Sequence, residues 1–175
     1  MRAHVLPVEI RSTMIPGILQ GVHCRCVDPI EILASKIVAL LTRVASRDLY
    51  DVNRMISHFS LSESDKELLR KCTLFYFSIG SSGIPESIDF AMLKRITEYR
   101  IRTELLPALR KTEKIDIDEM LRETEKSLSN LLVFNAKESE FIDKFRKRDY
   151  NPELLFDDSQ IVERIKNHPM ALWKT

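Results

Sequence analysis

Four side chains in this sequence have the types and spacing to handle charge together. Lys36 and Arg43 stand seven positions apart, two helical turns along one side of a segment, and Asp48 and Asp51 follow three apart. Between the pairs, Ser46-Arg47-Asp48 breaks the helical pattern, so all four gather at one helix–helix corner. A lysine and an arginine can meet an anionic group, and a carboxylate can orient a cation or take a proton. The residues by themselves favour a plainer account. Asp48 and Asp51 then serve as an N-cap and a first-turn carboxylate, worth about 1 kcal/mol, and Lys36 is a surface lysine lying along its own stem.

The elements that must position them are legible. Asp28 is placed as an N-cap, Pro29 sits at the first helical position, and Glu31 falls where it would close a capping box. Val27 and Ile32 have the spacing of a hydrophobic staple. Ile30, Leu33, Ile37, Leu40, Leu41 and Val44 recur at helical spacing as a core-facing stripe, with Lys36 and Arg43 beside it.

The string EILASKIVALLTRVASRDLYDV, Glu31 to Val52, resembles the later motif region of the AbiEii/AbiGii-type nucleotidyltransferase toxins of bacterial abortive-infection and toxin–antitoxin systems. That pattern is E-hydrophobic-L-A-x-K, then A-L-x-x-R, then R-D-hydrophobic-aromatic-D-hydrophobic. A second stretch, PELLFDDSQIVERIKNHPMALWK from Pro152 to Lys174, resembles the closing segment of the same family. The family's earlier motifs, a G-S/T turn with a helix bearing L-x-x-R and then a metal-holding D-x-D on a sheet, have no counterpart. The glycines are Gly17, Gly21, Gly80 and Gly83, and Asp116-Ile117-Asp118 follows no such turn.

The resemblance implies a mainly α (α+β) fold. Residues 1–27 would be remnant strands of the catalytic nucleotidyltransferase sheet, and residues 28–175 a C-terminal helical bundle carrying the later motifs. It implies transfer of NMP from an NTP to an RNA acceptor, such as a tRNA 3′ end, with Mg²⁺ and NTP as cosubstrates and a cognate antitoxin as partner. In that reaction Lys36 would meet the triphosphate as a catalytic and substrate-binding cation, with Arg43 in support. Asp48 would orient the lysine or assist deprotonation of the attacking hydroxyl. Asp51 could share in substrate binding, although a structural role suits its deeper helical position better. The chain is then expected to be the C-terminal part of the enzyme, inactive alone. The alternative is a non-catalytic helical interaction module derived from the family.

Composition bounds the rest. A chain of 175 residues with 44% hydrophobic and 30% charged residues is typical of a globular domain. A net charge of +1 argues against a strongly basic nucleic-acid binder. No apolar run approaches the ~20 residues of a membrane span, MRAHVLPVEI has no signal-peptide character, and three cysteines without a framework suit a reducing cytoplasm.

Residues 4–10 and 19–27 read as extended segments around the breaker Pro16-Gly17. Having lost their sheet, they are expected to self-pair between chains, giving a homo-oligomer, or to stay mobile. His23, Cys24 and Cys26 suggest a metal site, but one Cys-x-Cys lacks a second ligand pair. Small buried thiols are the expected reading. Further helices are expected over 62–79, 87–109 (interrupted near Pro107), 116–133, 138–148 and 158–166, with a loop at 78–85. The segment from Lys94 to Lys114 carries seven basic and three acidic residues, read first as a solvated helix face and second as a phosphate-contacting stripe. His168 is expected to cap or pack, and Trp173 to anchor the tail on the bundle.

Overall fold

A computed structural model describes residues 4–12, 22–80, 83–85, 88–113 and 115–175. The described residues form helices, connecting loops and one two-stranded sheet, as expected of a mainly α fold with a small N-terminal β element. Strands β1 (Glu9–Ser12) and β2 (His23–Cys26) pair antiparallel, with Glu9 opposite Cys26 and Ser12 opposite His23. They are shorter than the expected strands, and Pro16-Gly17 and residues 19–21 lie outside the described residues. Both strands keep their side chains largely in solvent. The expectation of buried thiols fails there: Cys24 is exposed and Cys26 half-exposed, because the ribbon is not folded onto the apolar core.

Helix α1 (Pro29–Arg43) begins as its sequence requires. The Asp28 carboxylate accepts the Ile30 N–H at 2.8 Å, and Pro29 occupies the first turn. Glu31 makes no capping box. Its side chain turns inward and is 1% exposed, accepting the Val5 and Leu6 N–H groups at 3.1 and 2.8 Å and the Tyr76 hydroxyl. The backbone entering the core at Val5-Leu6 has no strand partner to satisfy its donors, and Glu31 supplies the acceptor.

Leu33, Ile37, Leu40 and Leu41 form the buried stripe of α1. Against it lies α3 (Glu63–Ile79), opened by a Ser62–Asp65 capping box and burying Leu69, Cys72, Leu74, Phe75 and Phe77. Helix α2 (Ser46–His58) packs on α1 and on α5 (Ile117–Leu131), which Asp116 caps through the Glu119 N–H. Ser81 and Ser82 of the loop at 78–85 lie outside the described residues.

Residues 90–108 form no long helix. A 3₁₀ segment (Phe90–Arg95), one turn of α4 (Glu98–Arg100), a π turn (Ile101–Leu105) and a 3₁₀ turn (Leu106–Ala108) follow one another. The buried residues Leu93, Ile96, Ile101 and Leu105 come at steps of three, five and four, which no single helical period keeps on one face.

Helices α6 (Ala136–Arg146), α7 (Ser159–Ile165) and α8 (Pro169–Lys174) complete the bundle. His168 is buried; it caps α8 through the Met170 N–H and meets the Phe75 ring edge-on at 5.3 Å. Trp173 is 77% exposed, so it does not anchor the tail. Buried Ala171 and the Lys174 ammonium, which donates to the Gly80 carbonyl, do so instead.

Candidate functional site

The α1–α2 corner brings all four predicted side chains together. Helix α1 stops at Arg43 because Val44 turns left-handed, at φ 52° and ψ 49°, while its N–H still reaches the Leu40 carbonyl at 2.9 Å. That region is strained for a β-branched residue, and the cap is normally a glycine. Only Ala45 separates Val44 from the first residue of α2, so the two helices meet abruptly.

From α1, the Lys36 Nζ lies 2.6 Å from Asp51 Oδ2 and 3.9 Å from Asp48 Oδ1. Arg43 directs one guanidinium nitrogen, Nη2, at both Asp48 oxygens, 3.0 and 2.9 Å away. The four groups form a charge quartet of graded exposure. The Asp48 side chain is 6% exposed, Lys36 37%, Asp51 39% and Arg43 65%. Asp48 is not the N-cap: Ala45 occupies that position, Asp48 is the third helical residue and Asp51 lies a turn beyond.

A second network, which the sequence reading did not identify, holds the corner from behind. Arg100 Nη1 donates to the Val44 carbonyl at 2.9 Å, while its Nε and Nη2 grip Glu104 at 2.9 and 3.2 Å. Glu104 also accepts the Ser46 hydroxyl at 2.9 Å, and its backbone carbonyl accepts Arg47 Nε at 2.9 Å. The Arg100 guanidinium and the Ser46 hydroxyl hold the Glu104 carboxyl below its usual range. The i,i+4 spacing of Arg100 and Glu104 was a visible signal of a local pair; their reach to Val44 and Ser46, more than fifty residues away in sequence, was not.

The rest of the basic segment divides. Arg102 pairs with Glu98 on the surface, and Glu113 is held by the Tyr50 hydroxyl and Arg54, which keep its carboxyl low. Arg100 belongs to neither a solvated face nor a stripe, because it is committed to the corner.

The corner does not suit a divalent cation. Among the described residues no three His, Cys, Asp or Glu side chains gather as a metal site. Asp48 and Asp51 already face two cations, whose charge opposes a third. A larger groove, about 690 Å³, runs along α1 past Ile32, Val38, Tyr76 and Met170, and its lining includes none of the quartet. No helix of the described residues is long and apolar enough to cross a membrane.

No curated protein and no solved structure matches this chain. A family model does. The one described as "Nucleotidyl transferase AbiEii toxin, Type IV TA system" matches residues 1–146, a span that contains the whole α1–α2 corner and its Arg100–Glu104 brace and ends before the Pro152–Lys174 segment. Over most of its length, then, with the lysine–arginine–aspartate corner inside the matched region, the chain belongs to the AbiEii nucleotidyl transferase toxin family of type IV toxin–antitoxin systems.

Proposed function

We propose that this chain supplies the phosphate-contacting corner of a nucleotidyltransferase toxin that moves NMP from an NTP onto an RNA, with a tRNA 3′ end as acceptor. In such a transfer a hydroxyl oxygen of the acceptor attacks the α-phosphorus, the bond to the β-phosphate oxygen breaks, and pyrophosphate departs with the charge. A protein contributes mostly by holding the groups in line and stabilising that charge.

The observation that carries the reading is the grading of the quartet: one buried carboxylate, Asp48, with the heads of Lys36 and Arg43 beside it and both open to solvent. Lys36 meets the triphosphate as a compact point charge, with Arg43 in support. Asp48 acts as a positioning residue, since Arg43 occupies both its oxygens and leaves it poorly placed to take a proton. Asp51 holds Lys36 until phosphate oxygens replace it. Mg²⁺, which the reaction class uses, has no fitting ligand set at the corner, and no role is assigned to it there. The cognate antitoxin implied by a toxin–antitoxin system is a partner of the whole toxin.

A second reading, a non-catalytic helical interaction module, draws on one fact: the two cations are already balanced by two carboxylates. Labelling of RNA from radioactive NTP in Mg²⁺ separates the two. The 175-residue chain alone is expected to transfer nothing, and joined to a family segment carrying the G-S and D-x-D motifs it is expected to label RNA. In that active form Lys36→Met should lower transfer on the order of 10²–10³-fold, the cost of one preorganised electrostatic contact. Parental transfer rates in both Lys36→Met and Asp48→Asn would leave the corner a helix junction only.

A further inference from the structure

The Cys24/Cys26 face of the β-ribbon is independent of the corner. Along a strand, residues two apart point to the same side. Here that places the two sulfurs 3.5 Å apart, with Cys24 exposed and Cys26 half-exposed. Neither sits in the apolar packing that makes a buried cysteine inert. Cys72 shows the contrast: it is buried within α3, and burial pushes its thiol well above the ordinary range. In the ribbon, Cys24 Sγ also approaches the Arg11 carbonyl at 3.6 Å, and Cys26 Sγ the Cys24 carbonyl at 3.8 Å. The ladder thus fixes both side chains toward each other.

We propose that Cys24 and Cys26 form a reversible dithiol–disulfide site that takes its oxidising equivalents from a low-molecular-weight disulfide such as oxidised glutathione. The step balances. The Cys24 thiolate attacks one sulfur of the small disulfide, forming a mixed disulfide and releasing one small thiol. Cys26 then gives up its proton and attacks the Cys24 sulfur, releasing the second small thiol and leaving a Cys24–Cys26 bond. Two protein thiols are oxidised, and one small disulfide is reduced to two thiols.

The order of attack follows from exposure, Cys24 being the more open sulfur. The hydrogen bond with Cys24 pushes the Cys26 thiol up, which suits Cys26 to the second, resolving step. The backbone then sets the character of the bond. Two residues of extended strand span about 6.6 Å between Cα atoms, at the long end of the roughly 4.4–6.8 Å a disulfide tolerates. Closing the bond therefore puckers β2, where Cys24 pairs with Arg11 and Cys26 with Glu9. A disulfide held this way is easily reduced, unlike a structural one. Oxidation should consequently loosen the β1–β2 ladder, and reduction should restore it.

The experiment is mass spectrometry of the full 175-residue chain after equilibration in glutathione buffers and quenching with an alkylating reagent. The expected result is loss of two hydrogens from the peptide spanning Cys24 and Cys26 in excess oxidised glutathione, fully reversed by reduced glutathione, with Cys72 alkylated only after unfolding. Cys26→Ser should stop at a glutathione adduct on Cys24, because the resolving thiol is gone. Hydrogen exchange at Arg11 and Cys24 should quicken several-fold on oxidation. Two free thiols across the whole buffer range, or a glutathione adduct that accumulates in the parent as in Cys26→Ser, would overturn the proposal. Since Cys24 and Cys26 lie on an exposed ribbon, the serine variants should keep the parental melting temperature.

Discussion

Glu31 and Asp48 are both carboxylates taken out of water, yet they are satisfied in opposite ways. Glu31 accepts two backbone N–H groups and a tyrosine hydroxyl, with His4 Nδ1 at 3.1 Å, all fixed by the fold. Glu138 follows the same pattern: fully buried, it accepts the Asn135 N–H at 2.9 Å and Arg70 Nε at 2.9 Å, with Arg70 itself largely covered. Asp48 instead faces the ends of two long side chains that reach it from solvent. Partners of the first kind cannot leave without unfolding something. Partners of the second kind can rotate away to meet an incoming anion. On the proposed function, the contrast separates a buried charge that builds the fold from one that would hold cations ready.

Breaking the first kind should cost most. Glu31→Ala strands the backbone donors of Val5 and Leu6, and each buried donor left unpaired costs about 1–3 kcal/mol. Urea unfolding should show a loss of about 3–5 kcal/mol. Glu31→Gln keeps an acceptor oxygen and should lose less. A change under about 1 kcal/mol in the alanine variant would mean that water reaches those donors and Glu31 is not a keystone.

Arg70→Met comes next. It leaves Glu138 buried with its backbone contact but without its counter-charge, and unpaired buried carboxylates are strongly destabilising. Some solvent access at Arg70 moderates the effect, so about 2–3 kcal/mol is expected in the same unfolding experiment. A loss no larger than that of Asn135→Ala, about 1 kcal/mol for a missing cap, would place the value of Glu138 in its capping box alone.

These residues also mark how far the sequence could be read. The caps at Asp28, Ser62, Asp116 and Asp158 use near neighbours, so local spacing reveals them. The quartet was legible for a related reason: two turns of α1 and the first turns of α2 set it, across a break only two residues long. Glu31 was misread because its place in the first turn fits a capping box, while its true partners stand 25 to 45 residues away. Arg100 and Glu104 were passed over on the same ground, since their targets lie across the fold. Trp173 misled through its apolar size; on the short α8 the inward position falls to Ala171. The thiols misled through residue type: a strand does bury alternate side chains, but only where a second layer covers it.

The smallest effects are expected at the corner, and their smallness is the test. Asp48→Asn keeps the shape and loses the charge beside a largely exposed arginine, so about 1 kcal/mol should go. Lys36→Met should move stability by about 0.5 kcal/mol or less, because a pair more than a third exposed on both sides is screened by water. The pair can be isolated by a double-mutant cycle of Lys36→Met with Asp51→Asn. A coupling of about 0.5 kcal/mol is expected at low salt, fading toward zero at about 1 M, where the Debye length shrinks to roughly 3 Å. A coupling of about 2 kcal/mol that survives high salt would mean that Lys36 is locked to Asp51 as firmly as the Val5 and Leu6 amides are to Glu31. The lysine would then be part of the scaffold, unable to turn toward a phosphate, and the distinction between the two kinds of buried carboxylate would fail at the corner.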